Sequence, residues 1–432
     1  MSTSNKHWAW FASVSIVAGL AGTACTDEGD LTDEERATLE TMVIDDSTPI
    51  PPSVTNRYAD DPKAAKLGQT FFFDKRMVSG AGNCRTCHDT RQGGADTKAR
   101  TPTTVFGTQV FSRNTPTIFN VAFIPSVNHW GGLFSSVWSV IADTGSSALE
   151  QAHYIYSDPV YRAQYEEVFG PMPDLSDTVR FPPVGNFRSM AWMSMAPEDQ
   201  KAMGRFTTNY GKALEAYERK LIDKNSAFDK YMNGDEKAMT PSAVRGAKLF
   251  IGKAGCNECH NGPNFSDFDF HNVGVPQGAL ARDYGFITAG AFQSTYPFNA
   301  NSEFSDDREY GASLTANIMP VAAADLPMVC GTNPMPGCGA FKTARLRSVG
   351  LTAPYMHTGG FTDLWDVVAF YNEGAGTDGY VGHRDAAIRP LYLSDDEITD
   401  LVAFLTSLSG EPIADEWSKC PTTLAPEACM AP

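Results

Sequence analysis

The sequence has no long basic run, and its charge is unbalanced, with 34 Lys and Arg against 51 Asp and Glu, a formal net charge of −17. That balance argues against nucleic acid or an anionic membrane surface as a partner. A long apolar run is also missing. The longest lies from Trp8 to Ala21, behind Lys6, and is too short to span a bilayer. It reads as an export signal over residues 1–24. Ala24-Cys25 offers a lipoprotein cleavage site, although Gly22 departs from the usual Leu. Strand signals are sparse, which leaves a mainly α chain with long Gly- and Pro-rich loops, among them residues 262–345. Cysteine and histidine are scarce, 9 and 8 in 432 residues.

That scarcity gives weight to how they are placed. Cys84-Arg-Thr-Cys87-His88 is echoed by Cys256-Asn-Glu-Cys259-His260. At this composition chance supplies on the order of 0.003 such matches, so neither is accidental. In Cys-x-x-Cys-His the two thiols add to the vinyl groups of one haem, and the His is placed to ligate its iron. The alternative is a zinc site of four cysteines. It needs closer pairs and no His after each. Cys84, Cys87 and His88 are therefore one expected haem site; Cys256, Cys259 and His260 are another. Attachment of c-type haem agrees with export to the periplasm. Beyond these and Cys25, the pairs Cys330/Cys338 and Cys420/Cys429 remain, either local disulfides or free thiols.

Residues 25–55 are acidic, apolar-poor and then Pro-rich, and read as a tether with a short helix. Gly68-Gln-Thr-Phe-Phe72 before the first motif resembles Gly246-Ala-Lys-Leu-Phe250 before the second. This weak repeat implies two related haem domains. Thr240-Pro241 is a natural helix start and sets the expected boundary, with one domain over 56–240 and another over 241–432. Leu214, Tyr217 and Leu221 share a helical face, as do Leu401, Phe404, Leu405 and Leu408. The latter helix opens with the capping box Ser394-Asp-Asp-Glu397.

Together with the two haem motifs, Arg113-Asn-Thr-Pro-Thr117, Asn128-His-Trp-Gly-Gly132 and the stretch from Phe341 to His357 carry a resemblance. The chain resembles the bacterial di-haem cytochrome c peroxidases and their relative MauG. The resemblance implies two mainly helical, cytochrome-c-like domains. The resemblance also implies that peroxide reacts at the first haem and that the second relays electrons. It implies calcium held by Asn114, Thr352 and Pro354, and an inter-haem Trp at Trp130. At the second haem's distal position the peroxidases carry Met, whereas this chain and MauG carry Tyr, here Tyr371. Periodicity agrees, since Leu364, Val367, Val368 and Tyr371 fall on one helical face; Met356 is the rival ligand. At the first haem the distal His of many peroxidases is replaced by Phe106, with His129 a remote substitute, so the sixth position is expected to be open. Glu150 matches a distal Glu and is the expected proton shuttle. Val140 and Thr144 replace a Gln and a Pro, and Trp130-Gly-Gly-Leu133 replaces Trp-Asp-Gly-Arg, which alters the distal pocket.

The implied activity is that of a periplasmic oxidoreductase reducing H2O2 to water. Its electrons would come from a small redox protein, a cytochrome c or a cupredoxin. A MauG-like enzyme acting on a residue of a protein substrate is the alternative, and a non-enzymatic electron carrier is the third.

Overall fold

In the computed structural model, residues 29–78, 82–96, 104–106, 109–111, 113–125, 127–141, 147–277 and 282–429 are described, with 104–106, 109–111 and 141 by backbone alone. The export signal and Cys25 lie outside these residues. Helices dominate. The two small antiparallel sheets have two strands each: Thr104–Phe106 (β1) with Gln109–Phe111 (β2), and Phe270–His271 (β3) with Phe341–Lys342 (β4).

The architecture rests on two crossed helix pairs. Helix α1 (Pro62–Phe73) packs on α3 (Pro197–Glu218), and α4 (Pro241–Ile251) packs on α6 (Asp395–Ser407). Between them in the chain lie α2 (Ala148–Ser157) and α5 (Leu364–Asn372). The repeated glycines are the crossing points. A Cβ on Gly68 would lie 1.9 Å from the Ala213 carbonyl oxygen, and one on Gly246 would lie 1.9 Å from that of Asp400. Only glycine lets each backbone approach so closely. The repeat read from the sequence is thus a repeated crossing. Thr240 caps α4, with Pro241 in its first turn, and Ser394 and Glu397 form the reciprocal capping box of α6. Such caps contribute about 1 kcal/mol each.

Each pair builds a core. Phe71, Phe72, Leu214, Tyr217 and Leu221 belong to the first, and Phe250, Leu401, Phe404, Leu405 and Leu408 to the second. The chain ends cross between them. Leu31, Leu39 and Met42 are buried in the second core, and Leu424, Ala428 and Cys429 in the first. Tyr296, Phe298 and Phe304 also join the first core.

This corrects two expectations. Residues 29–46 are not a tether: Leu39 and Ile44 are fully buried, the Ile44 N–H donates to Asp229 Oδ1 at 3.0 Å, and Arg347 donates to the Met42 carbonyl at 2.6 Å. A few apolar side chains in an acidic stretch suffice, because burying a Leu or Ile contributes about 1.5–3 kcal/mol. Nor does a cut near 240 separate the cores, since residues from both sides enter the first. Both expected local disulfides are present, Cys330–Cys338 and Cys420–Cys429.

Candidate haem sites

Cys84 opens a single 3-10 turn that follows α1, and Cys256 opens another that follows α4. All four motif cysteines are free thiols, and burial pushes Cys84, Cys87 and Cys256 up to about 12. Each motif faces its own cavity, of about 220 Å³ at the first and about 230 Å³ at the second. Two cysteine pairs in separate cavities do not form one zinc site.

The histidines pass a direct test as iron ligands. His88 Nδ1 lies 3.2 Å from the Gly94 carbonyl, and His260 Nδ1 lies 2.9 Å from that of Phe265. A carbonyl only accepts, so Nδ1 carries the proton and Nε2 keeps its lone pair. That is the tautomer and orienting bond a ligating imidazole needs.

The second cavity is lined by Cys256, Cys259 and His260 and by one face of α5: Leu364, Val367, Val368 and Tyr371. The expected periodicity therefore holds. Burial holds the Tyr371 phenol well above its ordinary range, with Cys256 and Cys259 adding to the effect. Met356 lines both cavities. Among the described residues, Cys259, Asp267 and His271 are a grouping close enough to share a metal ion. His271 is bonded to Asp385 at 2.8 Å and Asp267 at 3.0 Å.

The first cavity is lined by Cys84, His88, Asn128, His129, Val137, Val140, Leu214, Glu218 and Arg345, among others. Burial, with Glu215 nearby, pushes the Glu218 carboxyl up to about 8 despite Arg345. His129 opens onto this cavity, and desolvation by the surrounding protein, with His88 and Arg113 close by, lowers its imidazole from the ordinary range. The sequence signal for His129 was its place beside Trp130; no local pattern marked Glu218 or Arg345.

Glu150 does not join the site. It stands in the first turn of α2, exposed, and is not among the residues lining the cavity. Leu149 and Ala152 are fully buried, so α2 turns Glu150 away. A carboxylate there complements the helix N-terminus. Thr144 and the Phe106 side chain lie outside the described residues.

Trp130 lines both cavities. Its Nε1–H donates to the Asn114 carbonyl at 2.8 Å, and its own carbonyl accepts from Lys342 at 2.8 Å. Its ring meets that of His357 edge-on at 6.4 Å, and His357 stacks on Phe341 at 3.6 Å. The Asn114 amide meets the Pro354 carbonyl, while Asn114 Oδ1 is buried without a hydrogen-bond partner among the described residues. Thr352 and Pro354 line the same cavity.

The family described as di-haem cytochrome c peroxidase matches residues 62–237. A protein named cytochrome-c peroxidase IdrP2, from Pseudomonas sp. (strain SCT), is 32% identical over 86% of this chain and 87% of its own. The methylamine utilization protein MauG of Methylorubrum extorquens is 29% identical over 82% and 80%. The diheme peroxidase BthA from Burkholderia thailandensis shares the fold, with a TM-score of 0.59 at 20% identity, over 88% of this chain and 91% of that one. No helix among the described residues is long and apolar enough to cross a membrane.

Proposed function

This chain belongs to the di-haem cytochrome c peroxidase family and is an oxidoreductase, and on that premise we propose that it reduces H2O2 to water in the periplasm, using electrons from a small redox protein. Two c-type haems, when bound, supply the iron that activates peroxide and the redox centre that stores oxidising equivalents. Cys84 and Cys87 would hold one, with His88 as its ligand; Cys256 and Cys259 would hold the other, with His260 and Tyr371 as candidate ligands. The observation that carries this reading is the pair of cavities, each with a cysteine-histidine motif and a carbonyl-oriented His, sharing Trp130 as a wall. A shared indole suits charge relay.

Asn114, Thr352 and Pro354 would suit a calcium ion: the Asn114 amide N–H meets the Pro354 carbonyl, its Oδ1 is buried without a partner among the described residues, and hard oxygen donors suit Ca2+. Such an ion would also steady Trp130, whose N–H is held by the Asn114 carbonyl.

Tyr371 in the second cavity favours a second reading, a MauG-like enzyme that oxidises a residue of a protein partner. A phenolate ligand favours ferric and higher-valent iron, whereas Met raises the potential. Family membership as an oxidoreductase displaces the electron-carrier alternative.

The test starts with pyridine haemochrome and intact mass, which should show two covalent haems per chain. The diferric protein, mixed with stoichiometric H2O2 in a stopped-flow spectrometer, should then react without prior reduction. Tyr371→Met should raise the second haem's potential and make the reaction depend on one-electron pre-reduction. A variant identical to wild type would make Tyr371 a wall residue and no ligand.

A further inference from the structure

Peroxide must lose a proton to bind iron as an anion, and that proton must reach the oxygen that leaves as water. With Glu150 on the surface, the first cavity needs another group for this transfer. Val137 and Val140 are aliphatic, and the amide of Asn128 does not accept protons. His88 is committed through Nδ1 to Gly94 and through Nε2 to the iron position. Glu218 lies beside Cys84, at the haem-attachment side.

Lys342 lines the cavity too, but its ammonium donates to the Phe268 carbonyl at 3.1 Å and lies over the Phe270 ring. Arg345 is held by the Phe119 and Thr117 carbonyls, and burial pushes the Tyr355 phenol up to about 12, so it stays neutral. His129 remains, and the local fold presents it. It sits on a turn closed by an antiparallel bridge between Asn128 and Phe134, with the Gly132 N–H donating to the His129 carbonyl at 3.2 Å. Its backbone is held in the left-handed region, at φ 66°. A residue other than glycine keeps this conformation only where the surroundings favour it. The Phe134 ring packs edge-on against the imidazole at 5.0 Å. Among the described residues neither ring nitrogen has a hydrogen-bond partner, so both remain available to a ligand in the cavity. It lines the same cavity as His88.

We infer that His129 is the catalytic acid–base residue of the first haem site: its imidazole takes one proton from peroxide as it binds and returns it to the departing oxygen. The O–O bond breaks, the two electrons come from the haem pair, and His129 ends neutral as it began. This rests on the reading of the first cavity as the peroxide site.

Cyanide uptake by the diferric protein tests it without turnover, because HCN must likewise lose a proton to bind. His129→Asn keeps a residue that tolerates left-handed backbone but removes the base. Haem content and circular dichroism should match wild type, the ferric EPR signal of the first haem should stay high-spin, and cyanide association should slow by about 10²-fold or more. Association as fast as wild type would overturn the inference alone. A first haem that is low-spin in wild type and becomes high-spin in the variant would make His129 an iron ligand, and also overturns it. A wild-type protein that binds no cyanide would overturn the open-site reading itself. Should His129→Asn lose haem, His129→Gln, which preserves volume, takes the same test.

Discussion

The two haem sites are alike on one side and unlike on the other. On the attachment side they correspond at the helix crossings, and Phe72 and Phe250, four residues after each crossing glycine, line their cavities alike. Gly68 meets Ala213 where Gly246 meets Asp400, so the next positions, Leu214 and Leu401, face their cavities in the same way. One helical turn further the match fails: Glu218 stands where the second site has Leu405. The cavities share Trp130 and Met356 as walls, but beyond these one has Tyr371 on a helix and the other has His129 on a strained turn. On the function proposed above, Tyr371 would close one site while the other would stay open to peroxide.

The glycine crossings should show the largest effect. Gly68→Val and Gly246→Val each drive a side chain into a carbonyl. Each should lower stability by more than the roughly 1–3 kcal/mol of ordinary overpacking, in denaturant unfolding. Loss of haem should be confined to the motif beside the changed crossing. Equal damage to both sites from either variant would break the equivalence.

Glu218 sharpens the contrast next. Its folded pKa, about 8, is raised from 4.5. Such a group favours the fold fully below 4.5, and that contribution is lost as the pH rises through 8. Glu218→Gln removes the titration, so thermal stability should fall less than wild type between about pH 5 and about pH 9. Parallel profiles would mean that the carboxyl is paired in the loaded protein.

Glu150→Gln should have the smallest effect: an unchanged rate with H2O2 by stopped flow. A slow variant would bring the carboxylate back to the first haem.

What the sequence exposed was local. Cys-x-x-Cys-His, the α6 capping box and the α5 face with Tyr371 depend on neighbours within a turn or two, and each stands where expected. Glu150 did not follow, because transferring a position along the chain fixes neither the loop that precedes it nor the face its helix presents. His129 was discounted for the same reason, its reach being set by the turn and not by its distance in sequence. The burial of residues 29–46 came from pairings such as Arg347 with the Met42 carbonyl, hundreds of positions apart and carrying no periodic signal.

The crossed ends bear on how the protein is made. Asn83 and Thr90, which flank the first motif, donate to the carbonyls of Cys429 and Ser418. The loop that presents the first haem is therefore finished only when the last residues of the chain arrive, although its own cysteines emerge early in synthesis. The second core, which also buries Leu31, Leu39 and Met42, waits for α6. A chain ending before Ser418 would therefore build the second core yet leave the loop around the first motif without these partners.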